Sequence, residues 1–429
     1  MLYAVAKQLR RRHGRPPLGA SLRRLGFPAL FAVLGPGLLA GLSDDDPAGI
    51  TTYSIAGARY GYTLLWVLLV SVAALVVYHE LGARLGLATG QGLVSLVRTT
   101  YGRRRAYAVV ATLVVANVGT TTAEFAGVAA GFDLAGVSRY VSVPAAAVVV
   151  GFVVLRGSFH RIEHVLLLLS TVFVTYVGAA ILAHPDWAAA GRDLVVPRVP
   201  HSREALVVVT GIVGTTLAPW GLAFIQSYTA DKRLTPADLR FERVDVVSGA
   251  VLTGVIGAFV VVACAATLHA TGHREISDAR DAAVALKPLA GDAASTLFAV
   301  GLIGAALLAA AVVPLSTAYS VAEGFGQECR LDDTFSEAPL FYGSYFAVLV
   351  IGAGIVLVPA VPLVPVLFVT QVLNAVLLLP LLVAMRGLGR SRELLGTLAN
   401  GRGGDARALA ALVVVTLAIV GLAVAALAR

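Results

Sequence analysis

The sequence has 429 residues, of which 58% are hydrophobic and 14% are charged, and its formal net charge is +8. Its mean hydropathy of +0.84 lies outside the range of soluble globular proteins. The basic residues are scattered between apolar stretches and form no separate basic domain, which argues against a nucleic-acid-binding protein. The composition therefore indicates an all-α polytopic membrane protein with the lipid bilayer as its partner.

Apolar runs near the roughly 20 residues that a helix needs to cross a bilayer recur along the whole chain. We count eleven, and we expect one transmembrane domain over 28–429 after a basic tail at 1–27. The predicted spans are approximately 28–57, 62–87, 106–131, 140–156, 163–183, 205–228, 244–270, 294–322, 340–358, 361–385 and 407–428.

The positive charges predict the orientation in the membrane. Most of the 33 Lys and Arg residues fall in the N-terminal tail or in loops that alternate to the same side as the tail. The positive-inside rule then places the N-terminus in the cytoplasm and, after eleven spans, the C-terminus outside. We expect the chain in the plasma or inner membrane.

The first and sixth spans are each interrupted by a proline beside small or polar residues, in 43-SDDDPAG-49 and 214-GTTLAPWG-221. A proline within a helix displaces the carbonyl four residues earlier, which here belongs to Ser43 and Thr215. Such carbonyls are tolerated at membrane depth where they line a cavity or are otherwise paired. Ordinary proline kinks are the alternative.

The two interruptions lie five spans apart. This spacing predicts two inverted five-helix repeats, about 28–183 and 205–385, followed by an extra helix at about 407–428. In such an arrangement the broken helices meet at a substrate site near the middle of the bilayer.

Three consecutive aspartates, Asp44, Asp45 and Asp46, are the strongest candidates for chemistry, because acids inside the membrane are costly and are usually functional. On a continuous helix they would point about 100° apart, so at most two could face one cavity. The proline break relaxes that limit. The alternative is an extracellular loop between two short hydrophobic hairpins.

Further polar candidates lie in the third and tenth spans. Glu124 is isolated in an apolar run and could be a second cation ligand or a proton carrier, or a protonated structural glutamate. Gln371 and Asn374 are three residues apart and share a helix face. They could bind an ion or its water, or they could hold helices together.

The triplet Tyr78-His79-Glu80 looks like a functional cluster but comes late in the second span, close to Arg84. Snorkelling or an interhelical salt bridge is the more economical interpretation.

Enzymatic chemistry has no support in the sequence. It contains no phosphate-binding glycine loop, nucleophile elbow or HExxH motif. The two cysteines lie on different predicted elements and suggest neither a disulfide nor a metal cluster. We therefore expect neither an enzyme nor a bound cofactor, and predict no obligate protein partner. A channel and a metal sensor are the alternative classes of function.

The sequence resembles the Nramp family of divalent-metal transporters. The resemblance runs in order through nearly the whole chain after about residue 28, including 35-GPGLLAGLSDDDPAGITTYSIAG-57, 123-AEFAG-127, 214-GTTLAPWGLAFIQS-227 and 371-QVLNAVLLLPLL-382. It implies a leucine-transporter-like fold of two inverted five-helix repeats, here with an eleventh helix. It also implies a divalent metal ion as substrate.

Three helices depart from the family pattern. Family members typically carry Asp-Pro-Gly-Asn in the first broken helix and Met-Pro-His in the sixth. The family's aspartate is retained as Asp46, whereas its asparagine ligand is replaced by Gly49, its methionine ligand by Ala218 and its proton-linked histidine by Trp220. In the third helix, Thr121 replaces an aspartate.

These departures are similar to those of the Nramp-related magnesium transporters, a branch reported to lack proton coupling. A site without sulfur suits Mg²⁺, which prefers oxygen ligands and retained water. We expect uptake of hydrated Mg²⁺ by alternating access, with a proton-coupled Mn²⁺ or Fe²⁺ importer as the alternative. The metal site predicted from these residues comprises Asp46, Asp45, Glu124, Ala218, Gln371 and Asn374.

Overall fold

The computed structural model describes residues 36–155, 171–200, 202–232, 234, 236–277, 279–327, 329, 331 and 333–427. Within these residues the chain forms helices joined by turns, and no β-strand. The predicted tail at 1–27, the start of the first span and part of the fifth span lie outside the described residues.

The helices of the first half extend from the first broken span to a short helix before the sixth span. They are α1 (Pro36–Asp44), α2 (Pro47–Tyr60), α3 (Leu65–Thr89), α4 (Leu93–Tyr101), α5 (Arg103–Asp133), α6 (Arg139–Leu155), α7 (Thr175–Leu182) and α8 (Trp187–Val195).

The second half begins with another broken span. Its helices are α9 (Arg203–Thr216), α10 (Pro219–Asp231), α11 (Leu239–Cys264), α12 (Ala279–Ala283), α13 (Lys287–Ala290), α14 (Ala294–Phe325), α15 (Pro339–Leu357), α16 (Leu363–Gly389), α17 (Arg392–Leu395) and α18 (Arg402–Leu427).

Eight helical stretches in the described part of the chain are long and apolar enough to cross a membrane. They correspond to the second, third and sixth to eleventh predicted spans. The fourth predicted span is the shorter apolar helix α6, and the first is divided between α1 and α2. The all-helical, membrane-spanning architecture predicted from hydropathy is therefore confirmed.

Both predicted interruptions are present in the structure. The first span breaks at Asp45 and Asp46, and the sixth breaks at Leu217 and Ala218. In each case the second half-helix begins with a proline, where its missing N–H costs nothing and its fixed φ favours the first helical turn. The sequence thus forms two half-helices in each place.

The two broken spans pack against each other and are surrounded by long helices. α1 contacts α10, and α2 contacts α9, so each half-helix of one span packs against a half-helix of the other. α3, α5, α11, α14 and α16 pack around them. α18 lies at the edge of the bundle, against α3, α9 and α16.

Small residues allow the broken helices to approach their neighbours closely. A Cβ at Gly41 would lie 2.6 Å from the carbonyl oxygen of Gly249 in α11, and one at Gly127 in α5 would lie 2.4 Å from the Pro47 ring. Such small-residue contacts are a common means of packing helices in membranes. They bring α5 and its Glu124 against the first break.

Candidate metal centre

The first break owes its geometry to Asp46. This residue is the N-cap of α2, in an extended conformation with φ −80° and ψ 171°, and its Oδ1 accepts a hydrogen bond of 2.6 Å from the Gly49 amide. Aspartate at the N-cap followed by proline is a strong helix-start signal. The sequence Asp46-Pro47 therefore ends one half-helix and starts the next.

The second break has no side-chain cap. Ala218 occupies the N-cap of α10 with φ −69° and ψ 133°, and its carbonyl oxygen accepts a 3.2 Å hydrogen bond from the Gly221 amide. The last carbonyls of a helix have no partner within that helix. α1 and α9 both end at a break, so each presents its last carbonyl groups and the negative end of its helix dipole there.

The two breaks are in direct contact. A Cβ at Gly49 would lie 2.8 Å from the Asp44 carbonyl oxygen and 3.2 Å from Thr215 Oγ1. One turn further along α2, the hydroxyls of Tyr53 and Thr216 are 3.0 Å apart. The close approach of the two half-helices leaves no room on this backbone for the asparagine that the family typically carries at position 49.

Four carboxyl groups are buried around the first break. The exposed fraction is 2% for Asp44, 1% for Asp45, 3% for Asp46 and 0% for Glu124. The carboxyl groups of Asp46 and Glu124 lie within hydrogen-bonding reach of each other. The structure therefore brings together the acids that the sequence places 78 positions apart.

Hydrogen bonds from the described residues offset little of the cost of burying these carboxyl groups. Among the described residues, no donor contacts the carboxyl oxygens of Asp44, Asp45 or Glu124. Asp44 also ends α1, where the negative end of the helix dipole disfavours an anion. Since burying an unpaired charge costs several kcal/mol, protons or a cation must balance this cluster.

Gln371 and Asn374 lie on one face of α16, as predicted. Asn374 Nδ2 donates to Gln371 Oε1 at 3.1 Å and to Thr120 Oγ1 of α5 at 3.0 Å. The Gln371 backbone lies against Gly214, four residues before the second break. The pair thus joins α5, α9 and α16 beside the candidate site.

His79 is a polar residue that the sequence reasoning assigned to a structural role. Its neighbour Glu80 forms the predicted interhelical salt bridge, with Arg243 of α11 at 2.7 Å, and it also pairs with Arg84 of its own helix at 3.0 Å. His79 itself is fully buried, and neither ring nitrogen has a partner among the described residues. It faces Gly221, just after the second break. The signal in the sequence was a histidine inside an apolar span.

The described residues contain no group of three or more His, Cys, Asp and Glu side chains placed to hold a metal ion together. The arrangement is therefore unlike a closed structural metal site. It offers a few carboxylates, helix-end carbonyls and amides, which suit an ion that keeps part of its water and is bound only transiently.

Buried acids at the junction of two broken helices, within a bundle of membrane-spanning helices, define a membrane transporter of cations. The chain belongs to the Nramp family: the family profile described as "Natural resistance-associated macrophage protein-like" matches residues 37–427. It is thus a multi-pass divalent metal cation transporter.

Similar curated proteins are divalent metal cation transporters named MntH. The protein from Granulibacter bethesdensis is 29% identical over 387 residues, which cover 87% of this chain and 83% of the relative. The protein from Deinococcus radiodurans is 34% identical over 314 residues, covering 68% and 70%.

Solved structures show the same fold. A manganese transporter from Eremococcus coleocola aligns with a TM-score of 0.73 at 19% identity, covering 92% of this chain and 86% of that one. Mhp1, a nucleobase-cation-symport-1 family transporter, aligns with a TM-score of 0.54 at 15% identity, covering 91% and 92%. The leucine-transporter-like fold expected from the sequence is confirmed.

Proposed function

We propose that this protein takes up a first-row divalent metal ion, Mn²⁺ or Fe²⁺, by alternating access through the site between the two broken helices. The observation that carries the proposal is the set of buried carboxyl groups, most without a partner among the described residues, where α1, α2 and α5 meet. The choice of ion is supported by relatives named as divalent metal cation and manganese transporters. It replaces Mg²⁺ as the leading hypothesis.

Each candidate residue has a role in this proposal. Asp46, Asp45 and Glu124 supply the negative charge, and Asp46 is already held in place by the Gly49 amide. The backbone at Ala218 contributes carbonyl oxygen from the second break. The cation offsets the free-energy cost of burying the carboxylates, and the carboxylates offset the cost of removing part of the cation's water.

Gln371 and Asn374 complete the proposed site from α16. The amide oxygen of Gln371 accepts one hydrogen bond from Asn374 and retains a second lone pair. That lone pair is available to the ion or to one of its water molecules. Small movements of α16 relative to α5 and α9 would change the distance of these amides from the acids.

The inside-negative membrane potential would drive uptake. A potential of 100 mV contributes about 2.3 kcal/mol for each charge, so a divalent ion gains about twice this amount. We place the protein in the plasma or inner membrane, with the N-terminus in the cytoplasm as the distribution of positive charge predicts.

Mg²⁺ is the second candidate substrate, and one observation favours it. Neither break provides sulfur, because position 218 is alanine, and the tight packing around Gly49 removes an amide ligand. The remaining oxygen ligands suit a hard ion that is slow to lose water.

Flux into proteoliposomes distinguishes these functions. We expect saturable Mn²⁺ uptake that Fe²⁺ inhibits at similar concentration and that a large excess of Mg²⁺ inhibits weakly. Uptake of Mg²⁺ in preference to Mn²⁺ would establish the second candidate. Flux that does not saturate would indicate a channel and overturn the carrier mechanism.

A further inference from the structure

The second span contains one buried polar residue whose surroundings do not explain it. Within α3, the Tyr78 hydroxyl donates to the Ala408 carbonyl oxygen at 3.0 Å, and Glu80 pairs with Arg243 at 2.7 Å. Both neighbours thus tie α3 to other helices. His79, between them, is 0% exposed, and both its nitrogens lack a partner among the described residues. A buried imidazole without partners is costly, which suggests that another group binds there.

His79 borders a small space beside the second break. A Cβ at Gly221 would lie 3.5 Å from His79 Nε2 and 3.8 Å from Asp44 Oδ1. Both groups therefore face the space that a side chain would occupy if position 221 were not glycine. Asp44 is also buried, and both its carboxyl oxygens lack a donor within the described part of the chain.

The wall of this space is fixed by the first turn of α10. The Gly221 amide donates to the Ala218 carbonyl oxygen, and the Trp220 carbonyl oxygen accepts a 2.9 Å hydrogen bond from Ser316 Oγ of α14. The glycine is therefore held in a hydrogen-bonded turn, with its open side toward His79 and Asp44. The position lies directly beside the break and shares Asp44 with the cluster of buried acids, but it uses neither Asp45, Asp46 nor Glu124.

An imidazole nitrogen and a carboxylate are a ligand pair for a transition metal. Neutral imidazole suits Fe²⁺ and Zn²⁺ and binds Mn²⁺ less tightly than these, whereas Mg²⁺ prefers oxygen ligands and its own water. Two protein ligands with water in the remaining positions also agree with the lack of any three-residue metal cluster among the described residues. The ligand pair would supply the nitrogen donor that the two breaks do not contain.

We propose that His79 Nε2 and the Asp44 carboxylate form a further binding position for the transported ion, and that this position favours first-row transition metals over Mg²⁺. The inference rests on the proposed function, because the ion must reach the breaks to occupy it. It adds a residue from α3 to the metal path and assigns the ion preference to that residue.

The first test compares ion preference in the full-length protein. His79→Gln keeps a neutral polar side chain but removes the imidazole, and His269→Gln is the matched control. His269 is a second membrane histidine, whose Nδ1 is 2.9 Å from the Ala58 carbonyl oxygen. Calorimetry with Mn²⁺ and with Mg²⁺ should show that only His79→Gln weakens Mn²⁺ binding, by about tenfold or more, while Mg²⁺ binding stays close to the wild type. An unchanged preference in His79→Gln would overturn the inference.

A spectroscopic test uses only the wild-type protein, so it does not depend on whether a variant folds. Pulsed electron paramagnetic resonance on the wild-type protein with bound Mn²⁺ should detect coupling to an imidazole ¹⁴N nucleus. Mn²⁺ bound without any ¹⁴N coupling would refute the inference directly.

The proposed function and this inference fail in different ways. If Asp46→Asn binds Mn²⁺ as the wild type does, the proposed site is wrong. If Asp46→Asn abolishes binding but no ¹⁴N coupling is found in the wild type, only the role of His79 is wrong.

Discussion

Replacing Asp46 with asparagine separates the charge of this residue from its structural role. Asp46 caps α2 by accepting the Gly49 amide hydrogen bond, and asparagine is about as good an N-cap as aspartate. Asp46→Asn should therefore fold and keep the first break. What it loses is one negative charge from a buried site.

The size of the effect follows from the electrostatics. Two unit charges about 4 Å apart attract by about 4 kcal/mol at an effective dielectric constant of about 20. If relaxation and water reduce this by half, about 2 kcal/mol remains, which corresponds to about a 30-fold weaker affinity. The divalent charge of the ion makes this a lower bound.

The assay is calorimetric titration of the purified variant with Mn²⁺, together with uptake into proteoliposomes. Asp186→Asn is the matched control, because Asp186 caps the short helix α8 in the same way, by accepting the Ala189 amide hydrogen bond at 2.9 Å. This control should bind and transport Mn²⁺ normally. Wild-type affinity in folded Asp46→Asn would refute the assignment of Asp46 to the metal site.

Four further predictions test the surroundings of the site. Gly49→Ala should weaken the free energy of Mn²⁺ binding by about 1–3 kcal/mol, because its Cβ would overpack against the Asp44 carbonyl. Gly191→Ala, at a position with open space around it, should bind Mn²⁺ as the wild type does. Equal calorimetric titrations for the two variants would contradict this. Asn374→Ala should lower the melting temperature and weaken binding by about threefold, and an effect as large as that of Asp46→Asn would show that the amide is a principal ligand. Glu323→Gln should lower the free energy of unfolding by about 2 kcal/mol, because the Glu323 carboxylate accepts hydrogen bonds from two α4 amides and from the Ser227 hydroxyl of α10. The control Glu393→Gln, at an exposed position, should unfold as the wild type does. A pH-sensitive dye in the lumen should report Mn²⁺ uptake without obligatory acidification, because Trp220 stands where the family has its proton-linked histidine and Thr121 where it has an aspartate. Stoichiometric acidification would contradict this.

The features that sequence predicted best are those governed by local chemistry. Pro47 and Pro219 each begin a half-helix in a stretch of small or polar residues, whereas Pro144, Pro314 and Pro380 lie inside continuous helices, so the signal is the proline together with its neighbours. Both breaks were therefore predictable, as was the burial of Asp44 to Asp46 within a long apolar run. The spacing of Gln371 and Asn374 likewise fixed their shared face.

The features that sequence did not reveal depend on how helices approach each other. The position of His79 near Arg84 in the chain suggested the membrane surface, but α3 packs so that His79 faces the first turn of α10. The contact of Gly49 with Thr215 is equally non-local, since it joins half-helices from the two repeats. Neither contact leaves a periodic or compositional signal in one sequence.

Competition between metals during uptake distinguishes a transition-metal carrier from a Mg²⁺ carrier. Wild-type protein in proteoliposomes, with an inside-negative potential, should accumulate Mn²⁺ with saturation, and Fe²⁺ should compete while excess Mg²⁺ should compete poorly. Asp46→Asn proteoliposomes measured in parallel should accumulate little Mn²⁺. Absence of Mn²⁺ uptake by the folded wild type, or uptake by Asp46→Asn at the wild-type rate, would contradict the account of a transition-metal carrier with its site at the broken helices.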